Sequence, residues 1–352
     1  MQRLAPVLVL AVLATVVPEV LFGSTPLTEP GRILATMPIY AGGAVVIREL
    51  ARRRRSGWLQ IAMLGVAFGI VEEGLALGSL FSPTLFNAAL VGGRLFGVNW
   101  TWTEWTLGYH AVWSISIPIA LAELTFHARR QEPWLGTVGL VVAGLVFAAG
   151  AVFLALVMRL AVTPDYAPPL LASVVAGLVV VVLAALALAR PSAVSASRPA
   201  AADPAGHPPE PSARVGVARA PSAWLVGLLS LVTAAAWFGL LVLPGPVKAG
   251  GWVVVPMTVA GLLLVALAVA VRRWSAPGRG WTDLHRLALV VGPLPVHVSY
   301  GLAYVTAGSP SARAYQAAAF GLTIVLLFRL ARRLHIRDDE QRGPFLEARA
   351  GS

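Results

Sequence analysis

Long apolar runs recur along the chain, separated by short polar interruptions. Ten can be marked, at 4–22, 33–50, 58–80, 106–128, 134–157, 169–189, 222–243, 251–271, 284–306 and 314–331. Each has the length, about 17 to 25 residues, at which an α-helix crosses the hydrocarbon core of a bilayer. Backbone groups in lipid must be satisfied within their own segment, so the pattern predicts an all-α bundle of about ten transmembrane helices. Arg3 ahead of the first run imitates the start of a secretory signal. Glu19 lies inside that run, however, and no small-x-small cleavage site follows, so a retained helix is expected.

The positive residues fall mostly at alternate ends of these runs. With the N-terminus in the cytoplasm, 22 of the 27 Lys and Arg residues lie inside. Only Arg32, Arg94, Arg159, Lys248 and Arg313 lie outside. That bias keeps both termini cytoplasmic. Composition narrows the class further. Charged residues make up 12% of the chain, against about 25% in soluble domains, which excludes a soluble enzyme. The absence of cysteine removes thiolate catalysis and cysteine metal sites. A net charge of +11 borne at helix ends is a topology signal and not a nucleic-acid face, so no nucleic-acid partner is expected. Arginine outnumbers lysine 26 to 1, which with the abundant alanine indicates a GC-rich bacterial genome and a multi-pass protein of the plasma membrane.

Residues 190–221 carry seven prolines among Ala, Ser and Arg. Such a segment buries too little apolar surface to offset its ordering entropy and is read as a disordered cytoplasmic linker. It divides the chain into a six-helix part (1–189) and a four-helix part (222–334), followed by a tail (335–352). No phosphate-binding loop of the Walker type occurs. The loop 82–104 mixes apolar residues with Trp100, Trp102 and Trp105 and is expected to lie in the interface as an aromatic belt. Within it, Arg94 and Glu104 are expected to pair.

Ionisable groups in lipid are costly and by default mark function. All five aspartates fall in loops or tails, and neither GxSxG nor HExxH is present. What remains is Glu19 in the first run, Glu72 and Glu73 in the third, His110 in the fourth and His297 in the ninth. Counted at 1.5 Å per residue, they lie about 6 to 13 Å below the outer edge, a depth compatible with one shared site. Gly65/Gly69 and Gly74/Gly78 allow close approach of neighbouring helices to the third span. Pro293 and Pro295 predict a kink or break ahead of His297. Such a set suits general acid–base work by Glu72, Glu73, His110 and His297. Glu73, His110 and His297 also make an acceptable shell for a divalent metal such as zinc. The bland alternative is a set of buried hydrogen-bond staples between helices. Glu49 is expected to form an interface ion pair with Arg48, and Glu123, near the inner end, to pair with Arg129 or Arg130 or to stand as a separate inner polar point.

A Glu-Glu pair on one transmembrane helix, a histidine on the next and a later intramembrane histidine resemble the CPBP family of intramembrane glutamate proteases, the CAAX-processing type. The resemblance implies that glutamate and histidines activate water for peptide cleavage, with Glu72/Glu73, His110 and His297 as the activating set. The family's EExxxR would place Arg at 77, its FxxxH Phe at 106 and its HxxxN/D Asn or Asp at 301, and this chain departs from all three with Leu77, Thr106 and Gly301. The segments 72–83 and 100–123 also look like a group of uncharacterised bacterial polytopic membrane proteins. The leading expectation is thus an intramembrane hydrolase acting on a lipid or membrane peptide. A proton-coupled transporter and a non-catalytic scaffold are the alternatives; the sequence leaves substrate and oligomeric state open.

Overall fold

The computed structural model describes residues 4–86, 92–189, 219–242 and 250–350, with side chains described as far as residue 338. Helices dominate, and the strands described, β1 (Arg94–Leu95) and β2 (Val98–Asn99), form one small antiparallel hairpin. Nine helical segments among the described residues are long and apolar enough to cross a membrane. The tenth expected span is the shorter apolar helix Ala5–Val20, comprising α1 (Ala5–Thr15) and a π-helical turn. The chain is therefore an all-α multi-pass membrane protein.

The remaining helices are α2 (Pro30–Arg53), α3 (Trp58–Gly69), α4 (Trp100–Tyr109), α5 (Ile117–Thr125), α6 (Thr137–Val157) and α7 (Leu170–Ala189). After the linker come α8 (Ala223–Leu241), α9 (Val254–Trp274), α10 (Asp283–Val291), α11 (Pro293–Tyr300) and α12 (Pro310–Ala350). Most of the expected linker, up to residue 218, lies outside the described residues. No helix-stopping residue falls between Leu330 and Arg342, so α12 continues through the position where a tail was expected to begin.

Cross-chain contacts sort the helix ends into two faces. On one, Arg130 reaches Asp283, Arg54 reaches the Leu188 carbonyl, and His285 reaches that of Pro221. On the other, Gln316 donates to the Leu21 carbonyl and Tyr166 to that of Gly78. The first face carries most of the arginines, as the charge pattern requires; it is called here the arginine-rich face, and the second the outer face.

The segment Trp100–Thr125 is the central post, with 78% of its most apolar window buried, against 6% for Thr137–Val162 and for Pro310–Asp338. Two apolar clusters surround it. One joins Val17, Trp105, Trp113, Trp237, Leu294 and Leu334, and so fuses helices from before and after the linker. The other joins Leu10, Ile39, Ala44, Phe68, Ile115 and Ile119. Glycines set the closest approaches, as the small-residue pattern predicts. A Cβ on Gly65 would stand 2.8 Å from the Ala111 backbone, and one on Gly69 3.2 Å from the His110 side chain. The third span can thus lie directly against the post that carries His110.

Candidate functional site

Four of the five π-helical stretches among the described residues bear on the predicted polar residues. Val16–Val20 holds Glu19, Ile70–Ala76 holds Glu72 and Glu73, His110–Ser116 begins at His110, and Gly301–Val305 follows the helix of His297. Their register is read from the backbone: Leu21 N–H donates to Val16 O at 2.9 Å, and Leu77 N–H to Glu72 O at 2.8 Å. Ile117 N–H donates likewise to Val112 O. Such wide turns insert one extra residue, re-aim side chains and are frequent at functional sites. Hydropathy is blind to them, and sequence reasoning missed them for that reason.

At the centre stands His110. Successive helical residues diverge by about 100°, and the imidazole meets that divergence with its two ring nitrogens. Nε2 lies 3.1 Å from Glu73 Oε1, and Nδ1 lies 3.4 Å from Glu72 Oε2 and 3.0 Å from Ser114 Oγ. All three groups are buried; side-chain exposure is 10% for Glu73 and 4% for Glu72 and His110. The Ser79 hydroxyl donates to Glu73 in a short contact, and Trp102 Nε1 donates to Ser79 Oγ at 3.1 Å. Phe86 stacks on Trp102 from outside. A neutral imidazole has one N–H and two carboxylates to serve; among the described residues its hydrogen bonds go to Glu73 and Ser114, and Glu72 Oε2 faces Nδ1 without a hydrogen-bond partner.

Glu19 faces this cluster through one hydroxyl. Tyr40 donates to Glu19 Oε1 at 2.7 Å, and its hydroxyl also faces Glu72. Thr25 and Ser24 donate to Glu19 Oε2, Ser24 at 2.8 Å. Two hydrogen-bonded groups thus lie side by side, Ser79–Glu73–His110 and Tyr40–Glu19–Ser24, with Glu72 between them and half-buried Ser24 on the outer face.

His297 does not meet the carboxylates. Its Nε2 lies 2.9 Å from the Tyr109 hydroxyl, which donates to Pro18 O at 2.6 Å. The hydroxyl has one proton and the carbonyl only accepts, so His297 donates from Nε2 and leaves Nδ1 as a buried acceptor without a partner among the described residues. Phe22 and Trp113 stack on its ring at centroid separations of 5.1 and 5.8 Å. The expected activating set of Glu72, Glu73, His110 and His297 is thus divided, with His297 one tyrosine removed. The expected metal shell of Glu73, His110 and His297 is divided with it. Among the described residues no group of three or more His, Cys, Asp or Glu is arranged to hold a metal ion.

A family model described as an uncharacterized membrane protein family matches residues 8–337. The chain belongs to this family. The match runs through both sets of helices and the segment that joins them, and no match was found among curated proteins or among solved structures.

The other charged residues need three corrections. Glu123 pairs with Arg52, at 2.6 Å through both oxygens, and with Arg48 at 3.2 Å, and Arg48 in turn donates to the carbonyls of Arg129 and Arg130. Glu49 does pair with Arg48, at 2.8 Å, but the pair is fully buried under Trp134 instead of lying in the interface. Arg94 turns to the carbonyls of Phe81 and Ser82, and Glu104 Oε1 has no partner among the described residues. The tryptophan belt is likewise mostly core: Trp102 and Trp105 are buried and Trp100 alone is exposed, because α4 begins at Trp100 and turns its neighbours inward.

Proposed function

We propose that this protein is an intramembrane hydrolase whose general acid–base centre is Glu73, His110 and Glu72, acting on an ester or amide bond of a lipid or membrane peptide that approaches from the outer half of the bilayer. The observation that carries this reading is the imidazole held between two carboxylates from a neighbouring helix. Glu73, the most accessible of the three, takes a proton from water as the water oxygen attacks the carbonyl carbon. The C–O or C–N bond then breaks, and the leaving group takes its proton from the cluster through His110, with Glu72 holding the ring in place. Tyr40 and Glu19 extend the proton store toward the outer surface, and the hydroxyl of Ser79 orients Glu73.

A proton-coupled transporter requires a path onward to Glu123. Between Ser114 and Glu123, about 14 Å along the helix, Ile115, Ile117, Ile119, Ala120, Leu121 and Ala122 are all buried. This apolar layer favours a site open to one side only. The test is turnover of fluorogenic phospholipid esters and labelled single-span peptides by the full chain in liposomes. Glu73→Gln and His110→Ala should each reduce turnover by at least a hundredfold, within the usual range for removing a general base, while the amount of folded protein stays the same. No turnover by the wild-type chain across both substrate classes, or variants that lose folded protein and turnover in equal measure, contradicts the reading and leaves the cluster a structural staple.

A further inference from the structure

Residues 79–82 follow the third span after a left-handed turn at Gly78 (φ +72°), and each is held from the same side. Trp102 Nε1 donates to Ser79 Oγ at 3.1 Å, and the Asn99 N–H to the Leu80 carbonyl at 3.0 Å. Arg94 donates to the carbonyls of Phe81 and Ser82 at 3.0 and 2.5 Å. All three donors belong to the β1–β2 hairpin or to the first turn of α4. We propose that Trp102 is a positioning residue for Glu73, its indole N–H fixing the Ser79 hydroxyl as donor to the Glu73 carboxylate. The assignment rests on the reading of Glu73 as the general base.

Proton counting gives the direction of the chain. An indole N–H donates and cannot accept, whereas a serine hydroxyl has one proton and two lone pairs. With a lone pair taken by Trp102, the hydroxyl has its one proton to place. Two acceptors are in reach, Glu73 Oε2 in a short contact and the Glu73 carbonyl oxygen at 3.2 Å. The carboxylate is the closer, and a hydrogen bond to an ionised acceptor is the stronger. Glu73 then accepts on Oε2 from Ser79 and on Oε1 from His110 Nε2, 3.1 Å away. A carboxylate has about four lone-pair sites, so sites remain to take a proton from water. Without the indole, the Ser79 hydroxyl is free to turn and to accept from a protonated Glu73 instead.

Burial makes the arrangement a fixed one. Ser79 is fully buried and Trp102 is 8% exposed, so water does not compete for either. The indole is itself locked. Its backbone N–H donates at 3.0 Å to the Asn99 side chain that caps α4, and its ring packs on Trp105 and Phe86. Support of this kind, one residue removed from the reacting group, holds a catalytic side chain in its productive geometry.

The experiment is nitrogen–proton correlation spectroscopy of the full chain in micelles, with its 11 tryptophan indoles isotope-labelled, read beside turnover in liposomes. Trp102→Phe, which keeps an aromatic ring for the packing, identifies the Trp102 signal by its loss. Glu73→Gln should move that signal. In a chain carrying Ser79→Ala, the same Glu73 substitution should leave it in place. Glu19→Gln, in the neighbouring hydrogen-bonded group, should not move it. In turnover, Trp102→Phe should lower kcat about tenfold, the rate equivalent of one hydrogen bond, with KM unchanged. Adding Ser79→Ala should cost no more than about a further twofold, because both act through one hydroxyl. Ser79→Thr, which keeps the hydroxyl, should turn over faster than Ser79→Ala. A Trp102 signal indifferent to Glu73→Gln, or moved equally with and without the Ser79 hydroxyl, overturns the proposal. So does turnover that Trp102→Phe leaves unchanged. Absence of wild-type turnover overturns the hydrolase reading alone, since the spectra still decide whether Trp102 positions Glu73. If Trp102→Phe yields no folded protein, Ser79→Ala and Glu73→Gln must still move one indole signal in common, and the lack of a common signal contradicts the proposal.

Discussion

Glu123 shows how a single buried charge is stabilised in this protein. Its carboxylate is 5% exposed and receives two 2.6 Å hydrogen bonds from Arg52 and one of 3.2 Å from Arg48. Removing one partner of such a pair strands the others in a medium of low dielectric, at a cost of about 3–5 kcal/mol. Glu123→Ala should therefore lower the free energy of unfolding in mixed micelles by that amount, and a loss below 1 kcal/mol would contradict it. At this scale the sequence was legible where two partners lie close together, as in Arg48–Glu49. It was illegible where they come from separate helices. Arg52 belongs to the same five-residue arginine cluster as Arg48, yet no spacing rule ties it to Glu123, 71 positions away. The turn of Arg94 toward loop carbonyls and away from Glu104 was equally hidden, because unpaired carbonyls are a property of the folded loop.

The elements explain why the polar residues meet. Hydropathy and charge locate the spans because lipid imposes one length and the positive residues mark alternate ends. The boundaries shift where a helix runs on beyond its apolar stretch, as α4 does at Trp100 and α12 beyond Leu334. The π-helical turns have no hydropathy signature, and they are what aims Glu73 and Glu72 at opposite sides of one imidazole. Close approach is better encoded. A Cβ on Gly292 would stand 2.6 Å from the Gly227 carbonyl oxygen, a backbone atom that cannot step aside, whereas a Cβ on Gly177 would meet nothing within 4 Å. Gly292→Ala should destabilise by about 1–3 kcal/mol through separation of α8 from α11. Gly177→Ala should be neutral or stabilise by up to about 1 kcal/mol, the helix-propensity gain. Thermal unfolding of the two variants side by side checks this, and equal effects would contradict the packing.

Across the whole molecule, the two sets of helices share one apolar core, and the polar groups sort by face. Carboxylates and His110 occupy the outer half, the Arg48–Arg52–Glu123 network lies toward the arginine-rich side, and an apolar layer separates them. The chain has no cysteine, so orientation can be read with single reporters. Phe96→Cys, at the 90%-exposed hairpin tip, should react with an impermeant maleimide from outside intact cells, and Arg333→Cys only after the membrane is opened. The reverse pattern would invert the topology. Everything mechanistic depends on the contact between the π-helical stretches Ile70–Ala76 and His110–Ser116 at Glu73 and His110. A double-mutant cycle of Glu73→Gln and His110→Asn, followed by reversible unfolding of the full chain, tests that contact most directly. Residues in one hydrogen-bonded network couple by about 0.5–3 kcal/mol, and the predicted result is a coupling of about 1 kcal/mol or more. Effects that add within about 0.5 kcal/mol would contradict it, because the two side chains would then act independently.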